Sequence, residues 1–171
     1  MTENILEKLF EHNIWANTQI LEACSALSDE QLDAEPQSAT KGNIRSTLSH
    51  LVTSQKGYLR LLTLPVKERL ENPEPAPPFA ELLKSASSSG DRLLDIARDQ
   101  SSFPMGQLQT TDGFLVEPWV VMVQIINHAT EHREQIKSML SALGITPPNI
   151  DGWDYAEFTN AMIPKEKENK G

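Results

Sequence analysis

Apolar side chains recur at helical spacing through most of the chain. In the first segment Leu6, Leu9, Phe10, Asn13, Ala16, Asn17, Ile20, Cys24 and Leu27 fall three or four apart. That spacing predicts one face of a helix from about Asn4 to Leu27. Ser28-Asp29-Glu30-Gln31 then has the form of a capping box and opens a short helical turn, which Pro36 ends. A second stripe through Ile44, Leu48, Leu51, Val52, Gln55, Leu59 and Leu62 predicts a helix from about Asn43 to Leu64, with Pro65 as its stop.

Asn72-Pro73-Glu74-Pro75-Ala76-Pro77-Pro78 reads as a stiff extended connection, because proline removes donors and biases its neighbours away from helix. A third helix follows from Phe79 to about Arg98 on Phe79, Leu82, Leu83, Ala86, Leu93, Leu94 and Ala97. Ser101 to Val116 holds Pro104, Gly106 and Gly113 without a sustained period; it predicts a loop, with a short strand at Gly113 to Val116. The fourth helix opens at Pro118 and carries Met122, Ile125, Ile126, Ala129, Ile136, Met139, Leu140 and Leu143 before Gly144 stops it. Beyond Pro147-Pro148, the side chains Ile150, Trp153, Tyr155 and Phe158 are placed to pack back as a C-terminal lid.

Four amphipathic helices of about 20 residues are each about 30 Å long and bury their stripes best against one another. The expected fold is therefore all-α, a four-helix bundle with long connections and a short C-terminal lid. Residues 1–163 form its single expected domain, and residues 164–171 a charged, disordered tail.

Composition narrows the function classes. The 171 residues, 39% hydrophobic and 23% charged, have a globular balance. Lys and Arg number 15 against 24 Asp and Glu, a formal net charge of −9. That sign argues against nucleic acid or an anionic membrane surface as a partner. No apolar run approaches the ~18 residues of a spanning helix. The first residues, Met1-Thr2-Glu3-Asn4, lack the basic region and apolar stretch of a secretory signal, so a cytoplasmic location is expected. One cysteine, Cys24, permits no internal disulfide and cannot alone build a thiolate metal site. Within its stripe it reads as small core filling.

Histidine carries the candidate chemistry. His128 and His132 lie four apart on the fourth helix, on a row that runs through Val121, Ile125, Ile136 and Met139. Two imidazoles at that spacing can converge on one ion, with metal–nitrogen distances of about 2.0–2.1 Å. The alternative is two partly exposed rings bonded to water or to Glu131 and Glu134. His50, on the second helix, shares its face with Thr47, Ser54, Gly57 and Leu61, small neighbours that leave room for a third ligand. His12 keeps company with Lys8, Trp15 and Gln19 and reads as a solvated surface residue. Asn13 and Asn17, inside an apolar stripe, either line a polar pocket or bond across helices. His128-Ala129-Thr130-Glu131-His132 also has the inverted zinc-peptidase spacing, but that chemistry needs a further carboxylate ligand and a larger α/β framework.

Three segments together resemble the DinB-like (DinB/YfiT) family: Asn13-Ile14-Trp15-Ala16-Asn17, Ile44-Arg45-Ser46-Thr47-Leu48-Ser49-His50, and Asn127 to Ile136 with its His-x-x-x-His-Arg core. Leu143-Gly144-Ile145-Thr146-Pro147-Pro148 with Asp151 and Trp153 is similar to that family's C-terminal signature. The resemblance spans about residues 4–158; it rests on the order and separation of the motifs. It implies a four-helix bundle, often homodimeric, that holds nickel, zinc or a similar dication on three histidines: here His50, His128 and His132. Glu134 stands where many relatives have glycine, which leaves the ligands intact.

Three imidazoles on one dication leave a vacant position, the pattern of a catalytic site. Among similar proteins are transferases that join a low-molecular-weight thiol (bacillithiol, mycothiol or glutathione) to electrophiles, as well as metal-dependent hydrolases and thiol-dependent isomerases. The expected function is a metal-dependent thiol S-transferase acting on a small-molecule electrophile. The alternatives are a metal-dependent hydrolase and a non-catalytic metal or small-molecule binding protein.

Overall fold

The computed structural model of the chain describes residues 4–164 apart from 39 and 41. The expected charged tail lies outside the described residues save for Pro164. Seven α-helices are described: α1 (Ile5–Ser25), α2 (Asp29–Asp33), α3 (Ile44–Thr63), α4 (Val66–Glu71), α5 (Leu82–Arg98), α6 (Pro118–Ala142) and α7 (Gly152–Phe158).

Local chemistry explains most boundaries. Asn4 caps α1 by accepting from the backbone N–H groups of Leu6 and Glu7. The helix ends at Ser25, two residues short of the Leu27 expected from the stripe. Ser28 is already the N-cap of α2, where its capping box with Gln31 forms as the sequence predicts. Asn43 caps α3 through the N–H of Ser46, and Leu64 turns extended before Pro65. The third main helix was expected from Phe79. Its first three residues form a 3-10 turn instead, and α5 starts at Leu82. Gly144 takes a left-handed φ of 73° after α6 while Ile145 N–H bonds back to Leu140 O at 2.9 Å, closing the helix with a glycine cap.

Two elements escaped the periodicity. Helix α4 buries none of its residues, so its Val66 and Leu70 leave no stripe to read. The expected strand at Gly113 to Val116 is shorter, β2 (Leu115–Val116), and pairs antiparallel with β1 (Leu108–Gln109), Leu108 facing Val116. Gly113, at φ 94°, supplies the turn between them.

The bundle is a square in which α1 packs on α5 and α6, and α3 packs on the same two helices. Its apolar core is in two layers. One gathers Ile20 and Cys24 of α1, Ile44, Leu48 and Leu51 of α3, Leu82 and Ala86 of α5, and Ile136, Met139 and Leu140 of α6. The other gathers Phe10 of α1, Leu59 and Leu62 of α3, Leu93 and Ala97 of α5, and Val121, Met122 and Ile125 of α6. The order in which each helix meets the layers fixes its direction: α1 and α6 run one way, α3 and α5 the other. The chain between α3 and α5 must therefore return along the bundle, which is why that Pro-rich connection is long.

Between the layers lies a belt of buried polar side chains that crosses all four helices. Arg133 of α6 donates through Nη1 to Asn13 Oδ1 (2.6 Å) and Asn17 Oδ1 (2.7 Å) of α1. Asn17 Nδ2 donates to Gln55 Oε1 of α3 at 2.9 Å, and Gln55 Nε2 donates to Ala86 O (2.8 Å) and Ser89 Oγ (2.7 Å) of α5. A belt with these partners satisfied specifies one rotation for each helix, because any slip orphans a buried polar group. Asn13 and Asn17 thus bond across helices, which decides between their two readings.

The C-terminal segment packs back as expected. Ile150 is buried, Asp151 caps α7 in a box with Asp154, and Tyr155 and Phe158 lie against Trp15 of α1. Trp153, however, is 72% exposed.

Candidate metal centre

The three histidines expected to act together meet on the seam between α3 and α6. Their ring centroids are 5.0 Å (His50–His128), 4.8 Å (His50–His132) and 4.3 Å (His128–His132) apart. One ring nitrogen from each lies within 4.8 Å of the other two. Three nitrogens on one tetrahedral dication stand ~3.4 Å apart, given metal–nitrogen distances of about 2.0–2.1 Å. An ion would have to draw the nitrogens together by up to ~1.4 Å. Among the described residues no fourth His, Cys, Asp or Glu joins the group.

His128 and His50 are suited to be neutral donors. His128 is half-buried, and burial, with the neighbouring His132 and His50, pushes its pKa down to about 4. Burial first and His132 second also lower the pKa of His50. His128 Nε2 is buried and has no hydrogen-bond partner among the described residues. Such an orphan is expensive in a packed interior, and its place in the three-histidine group is compatible with a divalent ion as its partner. His132 Nδ1 lies 2.7 Å from Gln135 Oε1. Because an amide oxygen only accepts, Nδ1 carries the proton and Nε2 keeps its lone pair for the cluster. His50 Nε2 is 3.5 Å from the Ser54 hydroxyl, a long contact that leaves it easily recruited.

Helix rotation differs from the expected row. Ala129 and Arg133, not His128 and His132, face the core of α6; the histidines flank that inner line at intermediate depth. Arg133 is only 3% exposed, and its role in the belt is the feature that the sequence reading missed. A signal existed: stepping four from Ile125 gives Ala129, then Arg133, opposite two stripe asparagines. Burial lowers the Arg133 pKa to about 10, partly offset by Glu134, so the guanidinium stays charged at neutral pH. Glu134 itself is exposed and pairs with Lys137 at 3.0 Å, so the departure from glycine falls on the surface.

His12 is not the solvated residue expected. Its Nε2 lies 3.0 Å from Ile150 O, and its ring packs on Trp15 and Tyr155, so it docks the C-terminal segment onto α1. Cys24 is buried core filling as expected, and burial pushes its thiol up to about 12. Glu131, the base of the peptidase-like spacing, is exposed.

Fold and site together define a class: a four-helix bundle with a three-histidine group, compatible with a divalent ion, on the seam of two antiparallel helices. The chain belongs to the DinB family, whose sequence model matches residues 1–169. Protein DinB of Bacillus subtilis (strain 168) is 27% identical over 163 residues, covering 89% of this chain and 94% of that protein. A solved structure described as a DinB-family member from Exiguobacterium sibiricum 255-15 matches with a TM-score of 0.62, covering 84% of this chain and 94% of that one. At 16% identity that likeness concerns the fold. No helix among the described residues is long and apolar enough to cross a membrane.

Proposed function

We propose that His50, His128 and His132 hold a divalent cation, nickel or zinc, and that the protein is a thiol S-transferase acting on a small electrophile. The carrying observation is the buried, unpartnered His128 Nε2, in a ring whose pKa is held near 4, beside two further imidazoles within 4.8 Å. When bound, such an ion with an open position supplies Lewis-acid chemistry that favours the deprotonated form of a thiol or of water.

The chain's own residues do the rest. Gln135 fixes the tautomer of His132. Tyr58, edge-on to His128 at 5.7 Å and hydrogen-bonded by Gln124, forms one wall of the approach. Ser54 stands beside His50 on the same side. The open position requires that no fourth side chain close the site, and among the described residues the group is of three. A low-molecular-weight thiol as co-substrate goes with a cytoplasmic setting. A homodimer belongs to the same proposal: Phe114, Leu115, Trp119 and Val123 leave large apolar side chains exposed near the start of α6.

Elemental analysis of protein purified without added metal tests the first part. A stoichiometric dication is expected, and its loss in both His50→Ala and His128→Ala. For the reaction, thiol consumption is followed with varied thiols and electrophiles, and turnover should vanish in His128→Ala. A bound ion without turnover in any pairing would favour a binding protein; ion-dependent hydrolysis would favour a hydrolase. Light scattering measures the dimer.

A further inference from the structure

A cavity of about 380 Å³ opens beside the histidine group, between α3, the Pro-rich connection and the β1–β2 turn. Ser54 and Tyr58 belong to both, since each lines the cavity and each also touches one of the histidines. The histidines themselves do not line the cavity, but these two side chains make its wall continuous with the histidine group.

The cavity's charge runs against that of the whole chain. On a protein of net charge −9, three cations, Lys56, Arg60 and Arg69, line it against a single carboxylate, Glu74. Glu74 is shared: Oε1 is 2.6 Å from Lys56 Nζ and Oε2 is 3.8 Å from Arg60 Nη1. Arg69 has no carboxylate partner among the described residues. Its Nε donates to Leu64 O at 3.2 Å and its Nη2 to Gln109 O, so backbone carbonyls aim it without neutralising it. Arg60 is aimed in the same way, by Nη2 donating to Asn72 O at 2.5 Å. The two guanidiniums also feel each other: burial first, then the Arg60 charge, lower the pKa of Arg69. Three cations against one carboxylate, with Arg69 held by neutral acceptors alone, leave an excess of positive charge that suits an anion, and planar guanidiniums suit a carboxylate.

We propose that this cavity binds the carboxylate end of the small-molecule substrate, with Arg60 and Arg69 as its specificity-determining residues and Glu74 as the side chain the incoming carboxylate displaces. The assignment to a substrate rests on the transferase reading; the anion site does not, and its test needs no turnover. Succinate is titrated calorimetrically into the full-length protein and into variants of it. Saturable binding is expected, weakened at least tenfold in Arg69→Gln and in Arg60→Gln. In Glu74→Gln, an exposed position on a connection, binding should tighten severalfold as a competing carboxylate is removed. Binding should persist in His128→Ala, so failure of the metal site and failure of the anion site give different results. Absent binding to the unaltered protein, or an affinity that neither arginine variant nor Glu74→Gln moves, would overturn the proposal. So would inorganic phosphate binding more tightly than succinate with the same arginine dependence.

Discussion

At the scale of single residues, the His128 imidazole and the Arg133 guanidinium are opposite solutions to burial. His128 sheds its charge, its pKa falling from an ordinary 6.5 to about 4. Between those two values the unfolded chain binds a proton at this position that the metal-free folded chain does not, so stability must rise with pH across that window. The urea midpoint of metal-free protein should therefore fall as pH is lowered from about 6.5 to about 4, and fall less in His128→Gln. Arg133 instead keeps its charge and is answered by two amide oxygens. Arg133→Met would relieve the cost of burying a charge but leave Asn13 and Asn17 facing an apolar side chain. Each buried acceptor without a donor costs about 1–3 kcal/mol, so a net loss of ~2 kcal/mol is expected in urea unfolding. The three histidines were legible in the sequence because their spacing and motif stand out. Arg133 was not, since an arginine on a helix is ordinarily a surface residue and only the rotation of α6 turns it inward.

Among the elements, what was legible is what has a stripe or a cap. Each main helix has an apolar period, and Ser28, Gly144 and Pro118 mark ends that the chain respects. Helix α4 and strand β1 bury too little to leave a period, whereas β2 was legible from the Gly113 turn beside it. Close approach of α1 and α5 is a further property of elements that no propensity reveals. A Cβ added at Gly90 of α5 would lie 2.9 Å from Ile14 Cγ1, a methylene next to the branched Cβ and so held by a stiff χ1. Alanine gains about 1 kcal/mol of helix propensity there, but overpacking costs about 1–3 kcal/mol. Gly90→Ala should thus lower stability by ~1 kcal/mol, seen as a drop of about 2–4 °C in Tm. An unchanged or raised Tm would show that the α1–α5 seam has slack.

For the molecule as a whole, the histidine site joins helices that the polar belt already aligns. His50 precedes the belt residue Gln55 by five positions on α3, and His132 adjoins Arg133 on α6. The belt fixes how these antiparallel helices face each other, so the imidazoles meet in the folded state and are scattered in the unfolded one. An ion on them is therefore linked to global folding. At a free concentration one hundred times Kd, binding to the native state alone adds about 2.7 kcal/mol, or about 5–10 °C in Tm for a chain of this length. Chelation of the protein as purified should lower the melting temperature by that amount, and re-addition of nickel or zinc should restore it. Neither treatment should move His50→Ala or His128→Ala. Arg133→Met adds a sharper test of the belt's part: the variant should still melt cooperatively but gain less from the ion, because the two helices that carry the ligands are no longer held in one rotation before it arrives.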